Sequence, residues 1–124
     1  MTVRADQIRG SWKNPVRLAS VSNLPLSGLA VVDGVAPLAG QRVLVKTQLV
    51  GADNGIYVAA AGAWVRAKDF DNVSDDAIAA GLVVSVQEGT FNGGKAFKLD
   101  TTGLVILGVT GLVFSEFGGG GGLH

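Results

Sequence analysis

The chain has 124 residues, in which ten Lys and Arg balance ten Asp and Glu, with one His and no Cys. That length supports one core but not two, zero net charge removes the global field that would gather nucleic acid or an anionic membrane, and the lack of thiols excludes disulfide frameworks and thiolate metal sites. Hydrophobic residues reach 48% while aromatics stay at 6%, so the apolar mass is Val, Leu and Ala interleaved with 19 Gly, a profile of short strands and frequent turns.

Residues 1–13 are polar, with isolated apolar side chains at Val3, Ile8 and Trp12. A frayed tail, a short helix from Thr2 to Gly10 and an extended arm that docks on a neighbour all fit that pattern. A tryptophan gains nothing in a free tail but supplies large contact area when covered, so Ile8 and Trp12 are the expected partner-binding anchors of an attachment arm. Arg4, Asp6 and Arg9 occupy the place where a secretion signal would be apolar.

The β domain is expected over residues 14–117. Pro15 opens an edge strand over 16–21, since its missing N–H does little harm at a first strand position. Residues 24–29 pass through Pro25 and Gly28 and are expected to be irregular. Ala30-Val31-Val32 then reads as a short strand closed by an Asp33-Gly34 hairpin turn. The apolar stretch 24–32 is broken by Pro25, Ser27 and Gly28 and falls well short of the ~20 residues that cross a bilayer, so no membrane span is expected.

Gly40 to Asp69 reads as a three-stranded meander. Arg42 to Lys46 is strand-length and rich in β-branched residues, although Leu44 shares a side with both cations. Asn54-Gly55 is the dipeptide that best tolerates the positive φ of a tight hairpin turn. Strands 56–58 and 64–66 follow, separated by a turn at Gly62. Ser74 to Gly81 has a hydroxyl cap, early carboxylates, alanines and a terminal glycine, which predicts a two-turn helix. Strands are then expected at 82–86, 96–99, 104–107 and 112–117, with a turn over 89–94 and a glycine-rich tail over 118–124. Turn signals at this spacing predict an all-β fold, a small sandwich or barrel of antiparallel strands and hairpins with one short helix.

Catalytic chemistry has little to work with. His124 follows a glycine run with nothing to orient it, which argues against histidine-assisted nucleophiles and multi-histidine metal sites. Asp69, Asp71, Asp75 and Asp76 are the one carboxylate cluster, but Asp69-Phe70-Asp71-Asn72 lacks the further ligands of a calcium loop, and Asp75-Asp76 suit a helix start. The Gly118–Gly122 run leads into no helix and has no lysine for a phosphate. Arg42, Lys46, Arg66 and Lys68 lie on neighbouring strands beside Tyr57 and Trp64, an arrangement that can stack single-stranded bases. Asp53, Asp69 and Asp71 sit among them and cancel that field. No catalytic residue, metal, cofactor or nucleic-acid partner is therefore expected, and the chain does not read as an enzyme. Tyr57, Trp64 and Asp69 form a candidate glycan patch, weighed against the reading that both aromatics belong to the core.

The words NPVRLAS from Asn14, LSGL from Leu26, DGV from Asp33, GQRVLVKTQ from Gly40, NGIY from Asn54, GAWVRAKD from Gly62 and VSVQEGT from Val84 occur in an order that resembles a module of tailed-bacteriophage tail-fibre and tail-spike proteins and their prophage relatives. The resemblance implies a virion structural protein, made in the bacterial cytoplasm and carried on the tail or capsid surface. By fibre analogy it is a homo-oligomer, a trimer above all, attached to a larger virion protein. A capsid decoration or head-fibre base protein and a carbohydrate-binding module for host attachment are the alternatives. Phe97 stands where the family carries a tryptophan. No shaft or separate receptor-binding tip follows the module in this chain, so host recognition is not carried over with the resemblance.

Overall fold

One segment, residues 12–20, belongs to both sheets of the molecule and sets its architecture. The structure is a computed structural model and describes residues 12–71 and 78–118. Among the described residues seven strands form two sheets: β1 (Leu18–Ala19), β2 (Arg42–Val45), β3 (Gly55–Val58) and β4 (Val65–Arg66) lie in the order β1-β2-β3-β4, and β5 (Val83–Ser85), β6 (Ala96–Leu99) and β7 (Phe114–Phe117) in the order β5-β6-β7. Every ladder is antiparallel except β1 with β2. This is the small all-β fold expected, and among the described residues the helical content is two 3-10 turns, Gly51–Asp53 and Lys68–Phe70.

The expected edge strand over 16–21 is shorter than its sequence predicts because the chain changes sheets within it. Trp12 and Val16 bridge in parallel to Val83 and Val86, with Lys13 N–H bound to Val83 O at 2.8 Å and Val16 N–H to Ser85 O at 2.9 Å. Arg17 and Ser20 then donate to Arg42 O and Leu44 O in the other sheet. The outer edge of β5 is covered by this segment, which explains why 82–86 is apolar on both faces. Closing an edge in this way also protects it from pairing with foreign strands.

The same geometry resolves the imperfect alternation of β2. Leu44 packs with Ala19, Ile56, Val84, Phe97 and Leu99 in the core between the sheets, while Val43 and Val45 join Leu18, Tyr57 and Trp64 in a second core on the other face. The irregular segment 24–35 covers that second core with Leu24, Leu26, Leu29 and Val35. β2 is buried on both faces, so its sequence is nearly continuously apolar. The two cations sharing Leu44's side lie at the ends of the strand: Arg42 pairs with Asp69, and the Lys46 ammonium sits 4.8 Å from the Phe97 ring centroid.

Three expected elements differ from what forms. Asn54-Gly55 is not a hairpin tip, because the β2–β3 connection runs through the 3-10 turn and Gly55 is already paired with Val45. Asn54 is buried instead, its amide oxygen accepting from Gln48 N–H and its amide nitrogen donating to Leu112 O, both at 2.9 Å. Gly55 is needed because Arg66 and Phe70 close over its α-carbon at φ +149°. The strand expected at 30–32 reduces to a single Val32–Val35 bridge around Asp33 (φ +50°) and Gly34 (φ +88°), the two positive angles of a type I′ turn. Residues 104–107 run into a turn, since Val109 and Thr110 N–H both return to Ile106 O and the Thr110 hydroxyl accepts from Ile106 N–H. The helix expected over 74–81 falls mostly outside the described residues, and Ala80-Gly81 form a turn.

A buried polar staple joins the sheets. Both carboxylate oxygens of Asp33 accept from Phe91 N–H at 3.0 and 3.1 Å, and one accepts from Asn92 N–H at 2.8 Å. Asn92 in turn donates to Ala19 O and Ser20 O. The β5–β6 turn is thereby fixed to both the type I′ turn and the crossing segment, with the carboxylate serving as a charged acceptor of the stronger kind.

Candidate partner-binding surfaces

The three residues expected to form a glycan patch do not share one open surface. Trp64 is 8% exposed and Tyr57 6%, and both belong to the second core rather than to an open platform. The Trp64 indole donates to Gly28 O at 2.9 Å, tying the irregular cover to the meander, and the Tyr57 hydroxyl donates to Asp53 O at 2.7 Å. Burial pushes the Tyr57 phenol above its ordinary 10.0, with Arg66 opposing that rise. Stacking a sugar needs a ring face in contact with solvent, and neither ring presents one here.

Asp69 accepts a two-pronged contact from Arg42, at 2.8 and 3.0 Å, and the same guanidinium also donates to Asn14 O and Pro15 O. The ion pair therefore anchors the entry to the crossing segment. Arg66 is likewise engaged, donating to Asn54 O and Ala52 O at 2.9 Å while lying 5.1 Å from the Tyr57 ring centroid. Lys46 is drawn below its ordinary lysine value by burial, with Asp33 opposing the shift. Of the four cations expected on one surface, Lys68 alone is exposed. Among the described residues no group of three or more His, Cys, Asp or Glu is placed to hold a metal, and no helix is long and apolar enough to cross a membrane.

Ile8 lies outside the described residues. Trp12 is half exposed, at 46%, and its ring meets Phe117 edge-on with centroids 5.7 Å apart at 86°. That edge-to-face contact is a favourable aromatic geometry, and it seats the base of the N-terminal segment on the β5-β6-β7 sheet. Trp12 and Lys13 are already paired with β5, so a free arm can begin only before Trp12.

No family model, curated protein or solved structure matches the chain. Its surface therefore has to be read from its own chemistry. Several exposed apolar side chains lie on two loops that meet. Leu112 N–H donates to Gly51 O at 3.1 Å, which joins the 3-10 turn after β2 to residues 111–112, and Leu49, Val50, Leu104, Ile106, Val109 and Val113 on the two stretches are each exposed. Leu49 is 89% exposed, Leu104 81% and Val109 73%. These residues look in sequence like ordinary strand apolars. The signal that separates them is the absence of any charged side chain over 101–115 and over 47–52.

Proposed function

We propose that the chain is a structural component of a bacteriophage or phage-like particle: a short fibre- or spike-type protein that oligomerises, as a trimer by fibre analogy, and docks on a larger virion protein without catalysing a reaction. It would be made in the bacterial cytoplasm and carried on the tail or capsid surface. The observation that carries this reading is where the fibre-like words fall. NPVRLAS is the crossing segment, LSGL lies in the irregular cover, DGV forms the type I′ turn, GQRVLVKTQ contains β2, NGIY holds the first three residues of β3, GAWVRAKD contains β4 and enters the second 3-10 turn, and VSVQEGT contains the end of β5. The likeness thus rests on the residues that set the framework rather than on scattered surface positions. A likeness of sequence words alone does not carry function.

Docking is assigned to the N-terminal arm, residues 1–13, with Ile8 and Trp12 as its anchors. Because Trp12 and Lys13 also contribute to the β5 edge, the clean test removes residues 1–11 only. The truncated chain should keep its thermal unfolding and its oligomeric mass but fail to rebind purified particles that lack the protein. Rebinding at the parent level would refute the arm assignment.

A further inference from the structure

Among the described residues every sheet edge but that of β7 is covered. Residues 12–16 line β5, Glu88 N–H and the Asn92 amide donate to Arg17 O and Ala19 O beside β1, and Trp64 N–H, at the entry to β4, donates to Leu26 O. β7 pairs with β6 alone. We propose that this open edge is completed by β7 of a second copy of the chain, running antiparallel across a two-fold axis. The inference rests on the assembly reading above and gives it a two-fold contact in place of the three-fold one of the fibre analogy.

The ladder fixes which backbone groups of β7 point outward. Asp100 N–H donates to Val113 O, and bonded pairs alternate along an antiparallel ladder, so Lys98–Ser115 and Ala96–Phe117 are the bonded pairs that follow. Val113, Ser115 and Phe117 therefore turn their N–H and C=O groups toward β6, and Leu112, Phe114 and Glu116 turn theirs away. Leu112 shows that sense directly, since its N–H reaches Gly51 O on the outer side. Among the described residues the outward groups of Phe114 and Glu116 have no such partner, and an extended strand is what their spacing fits.

The strand is its own complement in one register. Opposing Phe114 to Phe114 would call on the Leu112 N–H that Gly51 already holds, and opposing Glu116 to Glu116 would set like charges face to face. With Phe114 opposite Glu116 of the second copy, each copy donates both outward N–H groups and accepts at both outward C=O groups. The same register sets Val113 against Phe117 on each side of the axis and Ser115 against Ser115 on it. Val113 and Phe117 share the face turned away from the core, where they are 60% and 42% exposed. These are non-hydrogen-bonded pairs, whose side chains stand closest, so the exposed apolar side chains cover each other and a small uncharged residue meets its own copy. Glu116 keeps the Lys95 ammonium of its own chain 3.7 Å away, and Phe117 is already braced by the Trp12 ring.

The test is sedimentation of the full chain from low to high micromolar concentration, beside Glu116→Gln, which keeps the outward N–H, and Glu116→Pro, which replaces it with a ring and leaves the bonds to β6 in place. The parent and Glu116→Gln should sediment as dimers or multiples of them. Glu116→Pro should unfold thermally as Glu116→Gln does and associate about 30-fold more weakly or worse, the scale of the two N–H bonds lost per dimer. Air oxidation tests the register in this cysteine-free chain. Ser115→Cys meets its own copy with α-carbons ~4.5 Å apart and should form a disulfide, whereas Val113→Cys stands ~14 Å from its copy and should not. If Glu116→Pro loses its fold, the cysteine variants decide the matter. Dimers that persist in a folded Glu116→Pro, or a Ser115→Cys that links no faster than Val113→Cys, would overturn the edge pairing while leaving assembly through another surface intact. A parent chain that stays monomeric throughout would overturn both the pairing and the self-assembly reading. A monomer that dimerises only once residues 1–11 are removed would give the edge to the chain's own N-terminal segment, and one whose rebinding to purified particles is lost in Glu116→Pro would give it to the larger virion protein; either result overturns the second copy as occupant.

Discussion

Replacing Asp33 by alanine removes the charged acceptor that ties the type I′ turn to the β5–β6 turn. Two backbone N–H groups, those of Phe91 and Asn92, lose their partner. Asn92 is buried, so its N–H bears an unsatisfied-donor cost of about 2 kcal/mol, whereas Phe91 is exposed and water recovers most of its loss. Alanine at φ +50° adds about 1 kcal/mol, because the left-handed region crowds Cβ against the next carbonyl. The sum is about 3 kcal/mol. Unfolding entropy of ~2.1 cal/mol/K per residue gives about 0.26 kcal/mol/K for a chain of this size, so the midpoint should fall by about 11 °C. Asparagine tolerates the same backbone angle and keeps one acceptor oxygen, and Asp33→Asn should cost about half as much. Circular dichroism melts of parent, Asp33→Asn and Asp33→Ala at neutral pH measure all three. An Asp33→Ala midpoint within about 2 °C of the parent would show that the Asp33 carboxylate does not hold the β5–β6 turn in place.

Two further outcomes follow from the second core. Tyr57 is the chain's one tyrosine, so tyrosinate absorbance titrates it alone: the native midpoint should lie above 10.0 and return to that value in denaturant. Since the unfolded chain releases this proton first, the folded state holds more protons between 10.0 and the raised native value. Tyr57 therefore contributes a loss of stability as pH rises through that window, and Tyr57→Phe should flatten the decline. A native midpoint at or below 10.0 would contradict the burial. Trp64→Ala should destabilise by about 3–5 kcal/mol, as for other large core aromatics, and Trp64→Phe by about 1 kcal/mol through the lost indole bond to Gly28 O. Unchanged unfolding in Trp64→Ala, accompanied by loss of binding on a glycan array, would restore the sugar-platform reading.

The sequence makes the local strands legible and the crossing between sheets much less so. Arg42–Val45 and Ala96–Leu99 form where β-branched and aromatic residues predict them, and the Asp33-Gly34 turn follows from its two residue types. Asn54-Gly55 has the same local signature but a different fate. There the asparagine amide is recruited by Gln48 and Leu112, the latter 58 positions away, and the glycine yields to Arg66 and Phe70. The segment 104–107 fails as a strand for a similar reason, since the Thr110 hydroxyl offers its backbone a competing partner. Side-chain patterns alone could not place Tyr57 and Trp64 inside or outside. That depended on the irregular segment 24–35 folding over the sheet, which no periodicity announces. The uncharged junction was legible only in part: the charge-free runs are visible in the sequence, but their meeting at Gly51 and Leu112 is not.

The most direct test of the account is a cryo-electron-microscopy reconstruction of purified particles made with the gene intact and with it deleted. Copies of this two-sheet domain should appear around a symmetry axis on the tail or capsid surface, and they should be missing from the deletion particles. Intact particles with no such density, identical to those lacking the gene, would contradict it.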